Sequence, residues 1–191
     1  MEMITATDDT IHQIVHDEIA RLGPNADLNH IDVSEVTNMS YVFRNTTFKG
    51  DVSCWDVSNV TNMYGMFIRS KFNGDISCWD VSNVTNMSRM FQQSFFNRDV
   101  SRWDVSNVDD MCHMFQQSVF SGDISDWDVS NVEDVDNMFY EAPLFNVEHV
   151  RGWKLSPTTN VTAIFGEVGF TIQEMVDKKL SLRSREVDTT S

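Results

Sequence analysis

Apolar residues recur along this chain with a period of 24, far longer than the periods of two or 3.6 that mark one strand or one helix. Trp55, Trp79, Trp103 and Trp127 share one register; Phe43, Phe67, Phe91, Phe115 and Phe139 a second; Phe48, Phe72, Phe96 and Phe120 a third. A fixed period of this length marks a repeat architecture, whose units cannot bury their apolar faces alone and must stack to form one core. One unit reads F-N-G-D-I-S-C-W-D-V-S-N-V-T-N-M-S-R-M-F-Q-Q-S-F, over residues 72–95. Four regular units cover 48–144. A partial unit precedes them from Leu28 to Thr47, and a degenerate one, keeping Trp153, Val161 and Phe165, runs from Phe145 to about Phe170.

Within a unit, D-V-S-C-W alternates around Val52 and predicts a short strand. Val60, Met63, Met66 and Phe67 follow a helical spacing, with Ser58, Asn59 or Thr61 as N-cap, and predict a short helix or 3₁₀ turn. Lys49-Gly50 is turn chemistry ahead of the strand. The expected fold is a repeat solenoid of about six coils over residues 28–170, a rod on the order of 25–30 Å long. Its ends need lids. Residues 1–27 supply one: Thr7 to Leu22 places Ile11, Ile14, Val15, Ile19 and Leu22 on one helical face, and Gly23-Pro24 stops the helix. Residues 171–191 supply the other, a capping helix over Thr171 to Leu180 that carries Ile172, Met175 and Val176, then a frayed tail from Ser184.

The words F-N-G-D-I-S and W-D-V-S-N-V-T-N-M resemble the repeat of the BspA-like leucine-rich-repeat surface proteins, a repeat also catalogued as a bacterial domain of unknown function. The resemblance covers Leu28 to about Phe170. It implies a right-handed solenoid of the leucine-rich-repeat type, an association with microbial surfaces, adhesion or protein binding, and no catalytic residues.

Charge narrows the partners. Acidic residues number 29 against 14 basic, for a formal net charge of -15. Such a chain is ill suited to grip phosphate backbones or anionic lipid, so neither direct nucleic-acid binding nor membrane insertion is expected. No apolar run approaches the roughly 18 residues of a membrane helix. The acidic segment Met1 to Leu22 is the reverse of a secretory signal, which reads as cytoplasmic, whereas the resemblance implies the cell surface.

The ladders of recurring residues invite functional readings. Tryptophan and methionine columns at constant phase are what a stacked core demands. Asp51, Asp75, Asp99 and Asp123, like Asp56, Asp80, Asp104 and Asp128, either cap backbone N–H groups at turns or hold calcium between coils; capping is the reading taken here. Cys54 and Cys78 share a phase in adjacent coils and would lie within disulfide reach. Cys112-His113 lacks a third catalytic partner. His12 and His16, at i, i+4, flank the helix's apolar face without a third metal ligand. No cofactor, metal or catalytic residue is expected.

Positions that vary between coils are left for recognition. Lys49, Arg69, Lys71, Arg89, Arg98 and Arg102 fall early; Asp109, Asp110, Asp126, Glu133, Asp134, Asp136 and Glu141 fall late. The reading is a non-enzymatic protein-interaction module whose contact patch comprises Asp109, Asp110, His113, Asp126, Glu133, Asp134, Asp136, Tyr140 and Glu141. Two alternatives stand beside it: an acidic DNA mimic that inhibits a nucleic-acid-binding protein, and an exported adhesin.

Overall fold

The computed structural model describes residues 2–166, 174, 176 and 177. The expected C-terminal helix and tail fall mostly outside them; of that stretch, Val176 is buried and Asp177 pairs with Arg151 at 3.0 Å.

Successive 24-residue units, here called coils, lie side by side in register. Parallel bridges join Asn38 to Asn62, Asn62 to Asn86, Asn86 to Asp110, Asp110 to Asp134 and Asp134 to Asn160. The side chains stack in the same register. Phe67, Phe91 and Phe115 follow one another at 5.5 and 5.6 Å between ring centroids, Phe72, Phe96 and Phe120 at 6.3 and 6.4 Å, and Trp55 lies 6.4 Å from Trp79. Trp55, Trp79, Trp103 and Trp127 are each 4% exposed, and each indole N–H donates to a backbone carbonyl of the preceding coil: Leu28, Val52, Ile76 and Val100, at 3.0–3.1 Å. An indole of this size is buried without penalty only when its N–H has such a partner.

The elements within a coil differ from those expected. The expected strand is reduced to one bridge, Asp51 to Asp27, followed by a turn (Trp55 N–H to the Val52 carbonyl, 3.1 Å), and the bridging that recurs from coil to coil falls at the Asn62 column, inside the segment predicted as helical. The three-residue apolar spacing reflects tight i→i−3 turns, such as Val60 to Val57 at 2.9 Å and Met66 to Met63 at 3.2 Å. Between those turns, alternate amides turn outward. Met63, Gly65, Phe67 and Arg69 donate to the Asn86, Ser88, Met90 and Gln92 carbonyls of the next coil, at 2.9–3.0 Å. A helix would have kept these bonds local; here they tie coil to coil.

Turning the chain this way requires left-handed backbone. Tyr41, Gly65, Arg89, His113 and Asn137 form one column with φ of 53–62°, and Asn45, Arg69, Gln93, Gln117 and Glu141 a second with φ of 52–57°. Elsewhere glycine serves close approach: a Cβ on Gly50 would stand 1.8 Å from the Ala26 carbonyl oxygen.

The aspartate ladders hold turns. Asp51, Asp75, Asp99 and Asp123 accept from the amides of Ser53, Ser77, Ser101 and Ser125 at 2.8–3.0 Å, and Asp56, Asp80, Asp104 and Asp128 accept from those of Ser58, Ser82, Ser106 and Ser130 at 3.1 Å. Asn59, Asn83, Asn107 and Asn131 reach back to the Ser34, Ser58, Ser82 and Ser106 carbonyls at 2.7–2.8 Å.

At the N-terminal end, β1 (Ile4–Thr5) pairs in parallel with β2 (Ile31–Asp32), and helix α1 (Ile11–Leu22) lies across the first coil. The helix begins later than expected, because Thr7–Thr10 close a turn before it. Gly23, at φ 90°, ends it. Its buried face contains Ile11, Val15 and, unexpectedly, Glu18, which accepts from Arg21 and His30. In the degenerate last coil a 3₁₀ segment, Val147–Val150, absorbs the inserted residues, and Trp153 still donates to the Ile124 carbonyl at 3.1 Å.

Candidate recognition face

The two left-handed columns share one side of the stacked coils. A left-handed conformation costs a residue with a Cβ roughly 1–2 kcal/mol relative to its ordinary state, and glycine would remove that cost. Only Gly65 does so; the other positions carry Tyr, Arg, His, Asn, Gln or Glu. These side chains are not required by the turn itself.

On that side the second column is wired lengthwise. Arg69 Nε donates to the Gln93 side chain at 2.5 Å, Gln93 donates to Gln117, and Gln117 donates to Glu141 at 2.5 Å. A cation begins this ladder and an anion ends it. The Gln117 bond, followed by that of Tyr140, holds the Glu141 carboxyl below its ordinary range. Beside it, Gln92 donates to Gln116.

Most of the expected contact residues are brought together. Asp110 and Asp134 are bridge residues of adjacent coils, and their carboxylates accept from the Cys112 and Asp136 amides at 2.9 and 2.7 Å. Asp109 and Glu133 are exposed neighbours, joined by the bond from Glu133 N–H to the Asp109 carbonyl at 2.7 Å. Burial, then the charges of Asp110 and Glu133, raise the Asp109 carboxyl. His113 is half-buried at φ 59°, and its amide donates to the Asp136 carbonyl at 2.8 Å. Its Nδ1 and Asp136 Oδ1 are buried polar atoms without a hydrogen-bond partner among the described residues. Burial, then the nearby Arg89, keeps the His113 imidazole below its ordinary value. Tyr140 and Glu141 complete the late end. Asp126 stands apart on the corner before Trp127, in the column of Cys54, Cys78 and Arg102.

Burial pushes the Cys112 thiol up to about 12, with Asp110 adding to it, so it is a poor nucleophile beside His113. Among the described residues no three His, Cys, Asp or Glu side chains group as a metal site. His12 donates from Nε2 to the Ser40 carbonyl at 2.8 Å, and His16 lies 3.3 Å from Asp17, so the helix histidines are engaged separately. Cys54 and Cys78 are both exposed thiols. Among the described residues no helix is long and apolar enough to cross a membrane.

Sequence reasoning grouped the variable pairs but did not see the ladder from Arg69 to Glu141. The signal was the run Arg, Gln, Gln, Glu at 24-residue spacing, side chains long enough to touch across about 5 Å.

No curated protein and no solved structure matches this chain. A family model described as "Mycoplasma protein of unknown function, DUF285" matches residues 16–117 and 93–177, which together span most of the repeat region. The chain belongs to the DUF285 family.

Proposed function

We propose that this protein is a right-handed solenoid of the BspA-like leucine-rich-repeat type and acts as a non-enzymatic protein-binding module. The binding patch is the late-coil face formed by Asp109, Asp110, His113, Glu133, Asp134, Asp136, Tyr140 and Glu141. The observation that carries this reading is the retention of side chains at left-handed positions where the backbone would be relieved by glycine. Those side chains stand in continuous columns on one side, beside an uncompensated acidic cluster, and a surface of that charge selects a partner with a basic patch.

The test is capture of partners from the native host by the intact protein and by a variant with Asp134→Asn, Asp136→Asn and Glu141→Gln. A partner held by the former, released by salt and absent from the latter supports the reading. A partner held equally by both places the contact elsewhere. If the captured protein is a nucleic-acid-binding one that DNA displaces, the patch works as a DNA mimic. Recovery of the native protein at the cell surface instead favours the adhesin role.

A further inference from the structure

We propose that the early end of the same side holds a second site, one that binds a tetrahedral oxyanion, a phosphate or sulfate monoester. Arg44, Arg69 and Arg89 come from three successive coils and line one polar pocket of about 260 Å³, with Tyr41, Tyr64 and Gln92 completing its wall. In a chain of net charge -15 such a convergence is unusual in sign. Among the described residues none of the three guanidinium groups pairs with a carboxylate. Arg44 lies over the Tyr41 ring, 5.0 Å from its centroid; Arg69 spends Nε on Gln93; Arg89 makes a long 3.4 Å contact to Gln92. Among the described residues, the hydrogen bond to Gln93 uses only Nε of Arg69. Three like charges around one small volume repel until an anion enters, and guanidinium groups match the paired oxygens of a phosphoryl or sulfuryl group.

The backbone presents these groups at a cost. Tyr41, Arg69 and Arg89 are left-handed, at φ 62°, 53° and 58°, while Gly65 occupies the same column as Tyr41 and Arg89 without a side chain. A Cβ on Gly65 would stand 2.6 Å from Ile68 Cδ1 and 2.8 Å from Tyr41 Cε1, so the bare glycine lets those two side chains of the pocket wall close over it. Tyr41 and Tyr64 meet edge to face at 5.0 Å and form an aromatic wall, which suits an ester whose carrier is itself a ring. This site stands on other residues than the late acidic patch.

The test is calorimetric titration of the full chain with inorganic phosphate, sulfate, phenyl phosphate and phenyl sulfate, against chloride at the same ionic strength. Saturable one-to-one binding that chloride does not reproduce is expected, and the tighter phenyl ester identifies the source of the oxyanion. Arg69→Gln and Arg89→Asn place in each column a residue it already accepts, as at Gln93 and Asn137, so the fold is kept. Each should weaken binding about tenfold or more, the loss of one charge-assisted contact. Lys71→Gln, an exposed cation outside the pocket, should leave it unchanged. No saturable binding of any of the four, or binding indifferent to both arginine substitutions, would overturn the proposal.

Discussion

Asp8 Oδ1 accepts from the Thr37 amide at 2.8 Å and from the Asn38 amide at 2.9 Å, the place that a backbone carbonyl takes in each of the four regular coils. There the Thr37 carbonyl accepts from Thr61 and Asn62, and the Thr61 carbonyl from Thr85 and Asn86, each pair at 2.9 and 3.3 Å. One carboxylate thus impersonates the coil that is missing before the first. His12 does the converse. Its Nε2–H meets the Ser40 carbonyl, where Tyr41 N–H meets Tyr64 one coil on. Burial disfavours the Asp8 anion, yet the hydroxyl of Thr37 and the two amides hold its carboxyl below the ordinary range.

Removing that stand-in leaves two amides and a hydroxyl without their acceptor. Asp8→Ala should lower the unfolding free energy by about 0.5–2 kcal/mol, the range for losing a carboxylate that caps exposed backbone amides. Asp9→Ala, at an exposed neighbouring position, should be near neutral. Denaturant midpoints of the two variants check this, and equal midpoints would show that Asp8 does not close the stack.

Trp103 sits mid-stack, its N–H on Ile76 and its ring 6.4 Å from Phe91. Trp103→Ala should cost about 3–5 kcal/mol. Because each coil leans on its neighbours, the loss should shift one cooperative melt of the whole stack. A separate early transition, with the rest unchanged, would mean that the coils unfold independently.

The cysteines test the register. Cys54 and Cys78 occupy one exposed column in coils about 5 Å apart, inside the Cα range of a disulfide. Under mild oxidant these two should pair within one chain. Cys112, half-buried and with its thiol pushed up to about 12, should alkylate last. Peptide mapping that joins Cys112 to either of the others inside a monomer would contradict the stacking order.

Glu18 sets an acid limit. The Arg21 hydrogen bond, against burial and with help from His30, lowers its carboxyl from 4.5 to about 2. A depressed carboxylate stabilises the fold fully above its unfolded value and loses that contribution as pH falls through the folded one. The stability gap between the native chain and Glu18→Gln should therefore be full above pH 4.5 and shrink as pH falls toward about 2. A gap that does not change between pH 7 and pH 2.5 would show that the Glu18 charge contributes nothing to holding the helix.

The aspartate ladders already have donors in the serine amides, so millimolar calcium or a chelator should leave the melting temperature in place. A specific site filled a hundredfold over its dissociation constant would add roughly 2.7 kcal/mol. For a domain of this size that is a rise of about 5–11 °C. A rise of that size, abolished by Asp75→Asn with Asp99→Asn, would mean that calcium and not the amide is the partner.

The primary structure by itself determined which residues share a column. Identical side chains 24 apart can bury their faces only against one another, so Trp103 had to stand between Trp79 and Trp127, and the aspartates had to fall at the turns. It also marked the first helix, through its apolar face and the glycine that ends it. What only the tertiary structure decided is how the backbone runs between the columns. An apolar step of three is common to a helix and to a chain of tight turns. The choice between them rests on whether the amides of Met63, Gly65, Phe67 and Arg69 bond locally or to the next coil, an energy that exists only once a neighbour is in place. The left-handed columns follow from that choice, and with them the ladder from Arg69 to Glu141 and the arginine pocket. The roles of Asp8 and His12, and the contact of Glu18 with His30, were equally illegible: Arg21 is one turn along the same helix from Glu18, but Thr37, Asn38, Ser40 and His30 come within reach only once the helix docks across the first coil.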